Sequence, residues 1–388
     1  MTPPDHLALY VHWPFCLAKC PYCDFNSHVR DRVAVEEWEH ALLADLEHEE
    51  RRTAQVPSIG SVFFGGGTPS LMPPRLVATL LDQAERRFGF ADGLEITLEA
   101  NPSSVEAANF AALAAAGVNR VSLGVQALDD GTLRMLGRLH SADEALAALE
   151  TAQRHFRRVS IDLIYARPGQ TPGMWERELA RALGFGTEHM SLYQLTIEPG
   201  TRFASDVRRG DLVPLDDDSA ADLFALTQAM TAAAGLPTYE VSNHARPGCE
   251  SRHNLAYWRY QDYAGIGPGA HGRRLGLATT RHRKPENYLA AVARQGHGVQ
   301  EERALPIHEQ AAEALLMGLR LAEGVDIAAL SKRFGLAHDE LIDGRKLALH
   351  SASGLVGRDG DRLVVTTGGM PLLDALLPDL VAVEIQPA

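Results

Sequence analysis

No run of apolar residues in this 388-residue sequence approaches the roughly 18 to 20 that a bilayer crossing needs, so the chain is not expected to be an integral membrane protein. The first residues, MTPPDHLALYVHWPF, lack the basic start and uninterrupted apolar stretch of a secretory signal. The expectation is a cytoplasmic protein in a reducing compartment, where close cysteines read as metal or redox sites and not as structural disulfides. An excess of positive charge is also missing: 37 Lys and Arg stand against 50 Asp and Glu, a formal charge of −13. The basic residues do not cluster, which opposes nucleic-acid binding. Internal repeats are absent beyond an alternation of strands and helices, and low-complexity tracts are absent outside Ala-rich helices.

What is present is the composition of a globular protein, 45% hydrophobic and 22% charged, in a chain too long for one ordinary core. From residue 7 to about 235, short apolar or β-branched runs alternate with helical stretches. Strands are expected at LALYVHW, SVFFGG, LEITLEAN, RVSLGVQ, VSIDLIYA and MSLYQLTI, with amphipathic helices such as AVEEWEHALLADLEHE and VEAANFAALAAAG between them. Six βα units predict an α/β fold, a partial (β/α)6 TIM-like barrel with its site at the carboxyl ends of the strands.

The texture changes after residue 235. Residues 236–305 carry few helical periods and read as an irregular extension packed on the 1–235 core, and residues 306–388 read as three helices and a hairpin whose turn uses the Asp359-Gly360 pair. That pattern predicts a winged-helix-like α+β module. It carries 7 Lys and Arg against 12 Asp and Glu, so packing or interaction is a better expectation for it than DNA binding.

Cysteine is scarce, with four residues in all, yet Cys16, Cys20 and Cys23 fall within YVHWPFCLAKCPYCDF. A disulfide takes two thiols and a closed zinc site takes four ligands, so a set of three asks for a further partner. One alternative is a zinc knot in which His12, Asp24 or His28 supplies a fourth ligand. The other is an iron–sulfur cubane with three irons held by thiolate and one left open to a small molecule. Cys249, alone in RPGCES, reads as an ordinary partly buried side chain.

The Cys-x3-Cys-x2-Cys spacing just after a first strand resembles the radical S-adenosylmethionine family. That resemblance implies a [4Fe–4S] cluster on Cys16, Cys20 and Cys23, an electron donor to reduce it, and S-adenosylmethionine on the open iron. FFGGGTPS ends the second strand with three glycines, and the resemblance places Gly66, Gly67 and Thr68 at the methionyl amine. By the same likeness Tyr10, Glu99 in LEANP, Gln126 in GVQ, Arg138 in LGRLH and Asp162 in SIDLIYARPGQT surround S-adenosylmethionine. Each of the last four is polar at or beyond a strand end, where it needs a ligand or a rim salt bridge.

LYVHWPFC, FGGGTPS, GVQ and IDLIYARPGQTP together resemble the group that contains the oxygen-independent coproporphyrinogen III oxidase and its heme-chaperone relatives. The likeness extends through the C-terminal module. It departs at Ala166-Arg167, where the group commonly has Gly-Leu, which bears on local loop packing. Two functions then compete, an oxidase that decarboxylates coproporphyrinogen III and a chaperone that carries heme to an acceptor protein. The oxidase pattern continues Cys-x-Cys after the third cysteine; here Asp24-Phe25 follows Cys23. RHNLAYW resembles the HNxxYW motif of the chaperones and makes His253 the candidate iron ligand, since imidazole ligates heme and aromatic rings cover a porphyrin face. The plainer reading of His253 is a hydrogen-bonding histidine beside core aromatics. His271 in GIGPGAHG is read mainly as turn geometry, and His12 receives no role.

Overall fold

Six runs rich in Val, Ile, Leu and Phe form the expected strands: β1 (Leu7–Trp13), β2 (Ile59–Gly66), β3 (Phe90–Ala100), β4 (Arg120–Gln126), β5 (Arg158–Tyr165) and β6 (His189–Gln194). In the computed structural model, which describes residues 6–30, 32–53 and 58–382, these strands are parallel neighbours in chain order. The first five and last six residues, included in the expected 1–235 and 306–388 units, lie outside the described residues. Helices cover the sheet, as a parallel sheet requires, so its strands read as nearly continuous apolar runs. Local signals set the helix starts. Ser141 and Glu144 form a reciprocal capping box at Ala142–His155, and Pro172 follows the Thr171 cap of Pro172–Leu183.

Residues 236–305, read as irregular, instead widen this sheet at both edges. Tyr263–Ile266 pairs with β1 in parallel, and His271–Arg274, Leu277–Arg281 and Val299–Ala304 follow antiparallel. At the other edge Asn243–Ala245 and Thr238–Glu240 extend from β6, giving twelve strands in one sheet. These strands have three to six residues, too few for a clear period. The stretch VEAANFAALAAAG is two short helices, Ser104–Ala107 and Phe110–Ala115, instead of one.

The C-terminal module has the three-stranded sheet and helices of a winged-helix-like unit, with its own core around Leu315, Leu330, Phe334, Leu363 and Leu380. Its third expected helix breaks into His338–Leu341 and Gly344–Ala352, because Asp343 accepts the backbone N–H groups of Arg345 and Lys346 and starts a new helix. The hairpin turn is shifted by one residue: Asp359 pairs with Arg362, so Gly360 and Asp361 make the turn, with Gly360 at φ +60°. Ala166 sits at φ +55°, a left-handed conformation that favours glycine, and Arg167 turns inward to an ion pair with Glu178.

A buried ion network ties the added strands to the first helix, Val35–Arg52. Glu49 accepts from Arg274 and Arg281, while Asp45 accepts from the Tyr288 hydroxyl at 3.0 Å and from the Gly298 backbone at 3.2 Å. Burial opposes the charge on Glu49, but Arg281 and Arg274 outweigh it and hold its pKa below the ordinary value. Its contribution is therefore present above the ordinary carboxylate range and is lost as pH falls through it. Glu49→Ala leaves two buried guanidinium groups short of a partner, and denaturant unfolding at neutral pH is expected to show a loss of about 3–5 kcal/mol. A loss below about 1 kcal/mol contradicts the network's role.

Candidate functional site

The chain leaves β1 and makes a loop that returns at His28–Val29, which pairs with Phe15–Cys16. Backbone N–H groups from the glycine run pin this loop: Gly67 donates to the Trp13 carbonyl at 2.7 Å and Thr68 to the Phe15 carbonyl at 2.9 Å. A Cβ at Gly67 would lie 2.8 Å from the Phe15 oxygen, so only glycine allows the approach. The glycines thus seat the cysteine loop on the end of β2. Three free, half-buried thiols result, Cys16, Cys20 and Cys23.

One chain of polar contacts joins two of those thiols. Thr68 Oγ1 donates to Cys16 Sγ at 3.5 Å, and Asn101 Nδ2 donates to Thr68 Oγ1 at 3.2 Å. Arg138 donates to the Asn101 side-chain oxygen, to the Gly124 carbonyl at 3.0 Å and to Cys20 Sγ at 3.6 Å. Asn101 was not singled out from the sequence, because an amide before proline reads as a turn residue. Cys23 Sγ lies 3.9 Å from Ser27 Oγ. Burial raises the thiol pKa of Cys16 and Cys23, with hydroxyl donors acting in the opposite direction. Donors aimed at sulfur favour thiolate, the form that ligates metal.

Of the candidate fourth ligands of a zinc knot, His12 and His28 are engaged in hydrogen bonds and Asp24 faces outward. His12 is closed on both sides, its Nδ1 accepting from Tyr10 Oη at 2.9 Å and its Nε2 donating to the Asn26 carbonyl at 2.9 Å. His28 faces Asn26 Oδ1 at 3.3 Å, and Asp24 is exposed. Among the described residues no three His, Cys, Asp or Glu side chains are grouped to hold a metal ion. Three separate thiols with hydroxyl and guanidinium donors are a donor set suited to a multi-iron cluster.

The expected strand-end residues lie around the same rim. Glu99 near the end of β3 accepts from the Gly66 backbone at 3.2 Å, and Asp162 in β5 accepts from Ser122 at 3.0 Å. Burial, with repulsion from Asp162, pushes the Glu99 pKa up to about 8; burial raises Asp162 to about 6 against hydrogen bonds from Ser191 and Ser122. Gln126 ends β4 at φ +67°, a strained conformation of the kind found at binding sites, and its amide lies over Gly124, where a Cβ would be 2.7 Å away. Tyr10 is deeper, its ring stacked on Phe63 and His253.

His253 lies beneath Tyr10, its ring 6.4 Å away, on the side remote from the glycine run. It is 1% exposed on the helix Arg252–Trp258, with Nδ1 at 3.0 Å from Ser61 Oγ and Nε2 at 2.9 Å from Tyr257 Oη. Ser61 precedes Gly66 by five residues, roughly 16 Å along a strand at about 3.3 Å per residue. The helix is anchored there by Glu95, which accepts from the Arg252 backbone at 2.9 Å and pairs with Arg158 at the start of β5. Burial and the nearby Arg120 lower the His253 pKa to about 3, so the ring is neutral. Both ring nitrogens of His253, expected as an iron ligand, are engaged by hydroxyls in this conformation, and HNLAYW covers the amino-terminal end of the barrel. His271 is exposed, and Cys249 donates to Glu188 at 3.5 Å, far from the other cysteines in its contacts.

The raised pKa values of Glu99 and Asp162 imply stability present at low pH and lost as pH rises from the ordinary carboxylate range through about 6 and then about 8. Glu99→Gln removes part of that loss. In thermal unfolding of the metal-free protein, the variant should gain on the wild type as pH increases from 5 to 8. An unchanged difference across that range contradicts a buried, strained Glu99.

Comparison with known proteins agrees with these features. Residues 10–182 match the radical SAM superfamily, and residues 305–372 match the HemN C-terminal domain. A protein named heme chaperone HemW from Mycobacterium tuberculosis is 39% identical over 97% of this chain and 95% of its own. HemW from Escherichia coli K12 is 37% identical over 96% and 97%. The bovine mitochondrial radical S-adenosyl methionine domain-containing protein 1 is 41% identical over 82% of this chain and 74% of its own. The solved structure of coproporphyrinogen III oxidase, HemN, from Escherichia coli superposes with a TM-score of 0.82 at 24% identity, covering 97% of this chain and 90% of that one, which establishes a shared fold. The rim thiols, the parallel barrel and the C-terminal module therefore have one common account: the chain belongs to the radical SAM superfamily, in the family of the HemW proteins.

Proposed function

We propose that this protein binds heme and delivers it to an acceptor protein in the cytoplasm. The observation that carries the reading is identity of 37% and 39% with proteins named heme chaperone HemW across nearly the whole of both chains. Asp24-Phe25 after Cys23, where the oxidase pattern has a further cysteine, supports it. No described helix is long and apolar enough to cross a membrane.

Superfamily membership implies a [4Fe–4S] cluster and S-adenosylmethionine. In this reading Cys16, Cys20 and Cys23 hold the cluster, which when reduced by an electron donor supplies the electron that can cleave the sulfonium of S-adenosylmethionine. Thr68 and Arg138 direct hydrogen-bond donors at the Cys16 and Cys20 sulfurs. Glu99 and Asp162 offer carboxylates to the ammonium and hydroxyl groups of the ligand, and a ligand cation near Glu99 would offset the burial and the repulsion from Asp162 that raise its pKa. Gly66, Gly67, Gln126 and Tyr10 complete the surroundings.

The test is anaerobic reconstitution followed by hemin titration in the Soret region and, in parallel, an assay for coproporphyrinogen III decarboxylation. Saturable hemin binding without turnover is expected. Formation of protoporphyrinogen would replace the chaperone reading with the oxidase. His253→Ala strands the Ser61 and Tyr257 hydroxyls and should lower stability by about 1–3 kcal/mol while leaving the Soret spectrum of the hemin complex unchanged. A shifted Soret band with stability preserved would return His253 to the iron.

A further inference from the structure

Arg167, Arg274 and Arg281 are buried and ion-paired with carboxylates, and the buried Arg273 lies 3.5 Å over the Tyr260 ring. Arg120 is the exception. It is 2% exposed, has no ion pair among the described residues, and makes one long side-chain hydrogen bond, from Nη1 to Thr97 Oγ1 at 3.4 Å. A buried guanidinium so poorly matched is costly to the fold and points to a use elsewhere.

Arg120 opens β4, opposite Thr97 of β3 and Arg158 of β5 in the strand register. Glu99 is two residues beyond Thr97 and Asp162 four beyond Arg158. Side chains two apart share a face of a strand, so both carboxyls stand on the inner face above Arg120, one and two layers nearer the carboxyl end. Burial raises their pKa values, and the charge on Arg120 draws both the other way.

Towards the amino-terminal end Arg120 meets His189, His253 and Tyr239. Burial holds both imidazoles neutral and the hydroxyl protonated, so none of them answers its charge. Glu95 is taken by Arg158 and by the backbone of Arg252. The other groups that face the carboxyl pair are Arg138, on the Asp162 side, and the neutral Tyr10 and Tyr193, the latter also facing Glu240. The charge on Arg120 therefore acts upward, on Glu99 and Asp162.

We infer that Arg120 is a positioning residue for the cationic ligand of the rim: from below, its guanidinium keeps Glu99 and Asp162 available as carboxylates while leaving their oxygens free. A direct ion pair would occupy those oxygens, and the ligand would have to break it. The inference rests on the S-adenosylmethionine reading above and adds to it a residue at the start of a strand, away from the strand ends where ligand contacts were expected.

The experiment measures S-adenosylmethionine affinity of the anaerobically reconstituted full chain by equilibrium dialysis, in the wild type, Arg120→Met and Arg120→Lys. Wild-type affinity should rise as Asp162 and then Glu99 lose their protons, through about 6 and about 8. Arg120→Met exchanges a buried, unpaired charge for an apolar chain of similar length, a change that folds tolerate. Both carboxyls should then keep their protons to higher pH. Binding should be weaker by roughly tenfold at the acid end of the range, the effect of one pKa unit, and the deficit should shrink as pH rises past the Glu99 value. Arg120→Lys keeps the charge and should keep the wild-type profile. A loss of equal size at every pH marks a purely structural role and overturns the inference, as does an Arg120→Met profile that matches the wild type. Infrared titration of protonated carboxyl groups in the metal-free protein gives a readout without cofactor: the band lost in Glu99→Gln should titrate at higher pH in Arg120→Met. Wild-type protein that binds S-adenosylmethionine while this band stays fixed in Arg120→Met overturns the inference and leaves the cofactor reading intact. A shifted band in protein that binds no S-adenosylmethionine overturns the cofactor reading and, with it, the ligand assigned to the pair.

Discussion

A chain of hydrogen bonds that links one guanidinium to two thiols is the contact on which the site depends. Arg138 reaches Cys20 directly and Cys16 through Asn101 and Thr68. These groups come from the cysteine loop, the end of β2, the residue after β3 and the segment after β4. They meet only because the parallel strands keep one register and end on one rim. A slip of one residue in any strand would turn its side chains to the opposite face and break the bridge. The Gly67 contact with the loop backbone is part of the same constraint, since a larger residue there would lift the cysteines from β2.

The barrel divides its polar groups between two ends. At the amino-terminal end Ser61, Glu95, Arg158 and His253 satisfy one another, and the helix Arg252–Trp258 closes the interior. At the carboxyl end Glu99 and Asp162 are buried carboxyls whose raised pKa values show that their charge is poorly compensated. Such groups reduce the stability of the ligand-free protein and are positioned for a ligand that brings opposite charge. The closed end and the strained end are complementary: the rigidity of one allows the other to hold groups that would destabilise a looser fold.

The six central strands were legible because both their faces are buried, which writes continuous apolar runs into the sequence. The flanking strands were not, because Asn243–Ala245 and Thr238–Glu240 are too short to display alternation, and Tyr263–Ile266 finds its partner β1 far away in the chain. In the site, the grouping of the cysteines was legible from spacing and Glu99 from charge near the end of an apolar strand, whereas Asp162, expected at a strand end, lies within β5 and was legible only as a charge in an apolar run. Asn101 escaped because its role is a contact with Arg138 thirty-seven residues away. The HNLAYW motif displayed the right residue types for heme, yet nothing in its spacing tells which end of the barrel its helix covers; Glu95 and Ser61 decide that, and both are remote in sequence.

The most direct measurement is low-temperature electron paramagnetic resonance of the reconstituted, reduced protein before and after addition of S-adenosylmethionine. Three thiolates, two of them joined by the Arg138 bridge, with one iron left open, predict a [4Fe–4S] signal whose g values shift when S-adenosylmethionine binds and which is lost in Cys16→Ala. A cubane signal that ignores S-adenosylmethionine, or that persists in full without Cys16, would contradict the account.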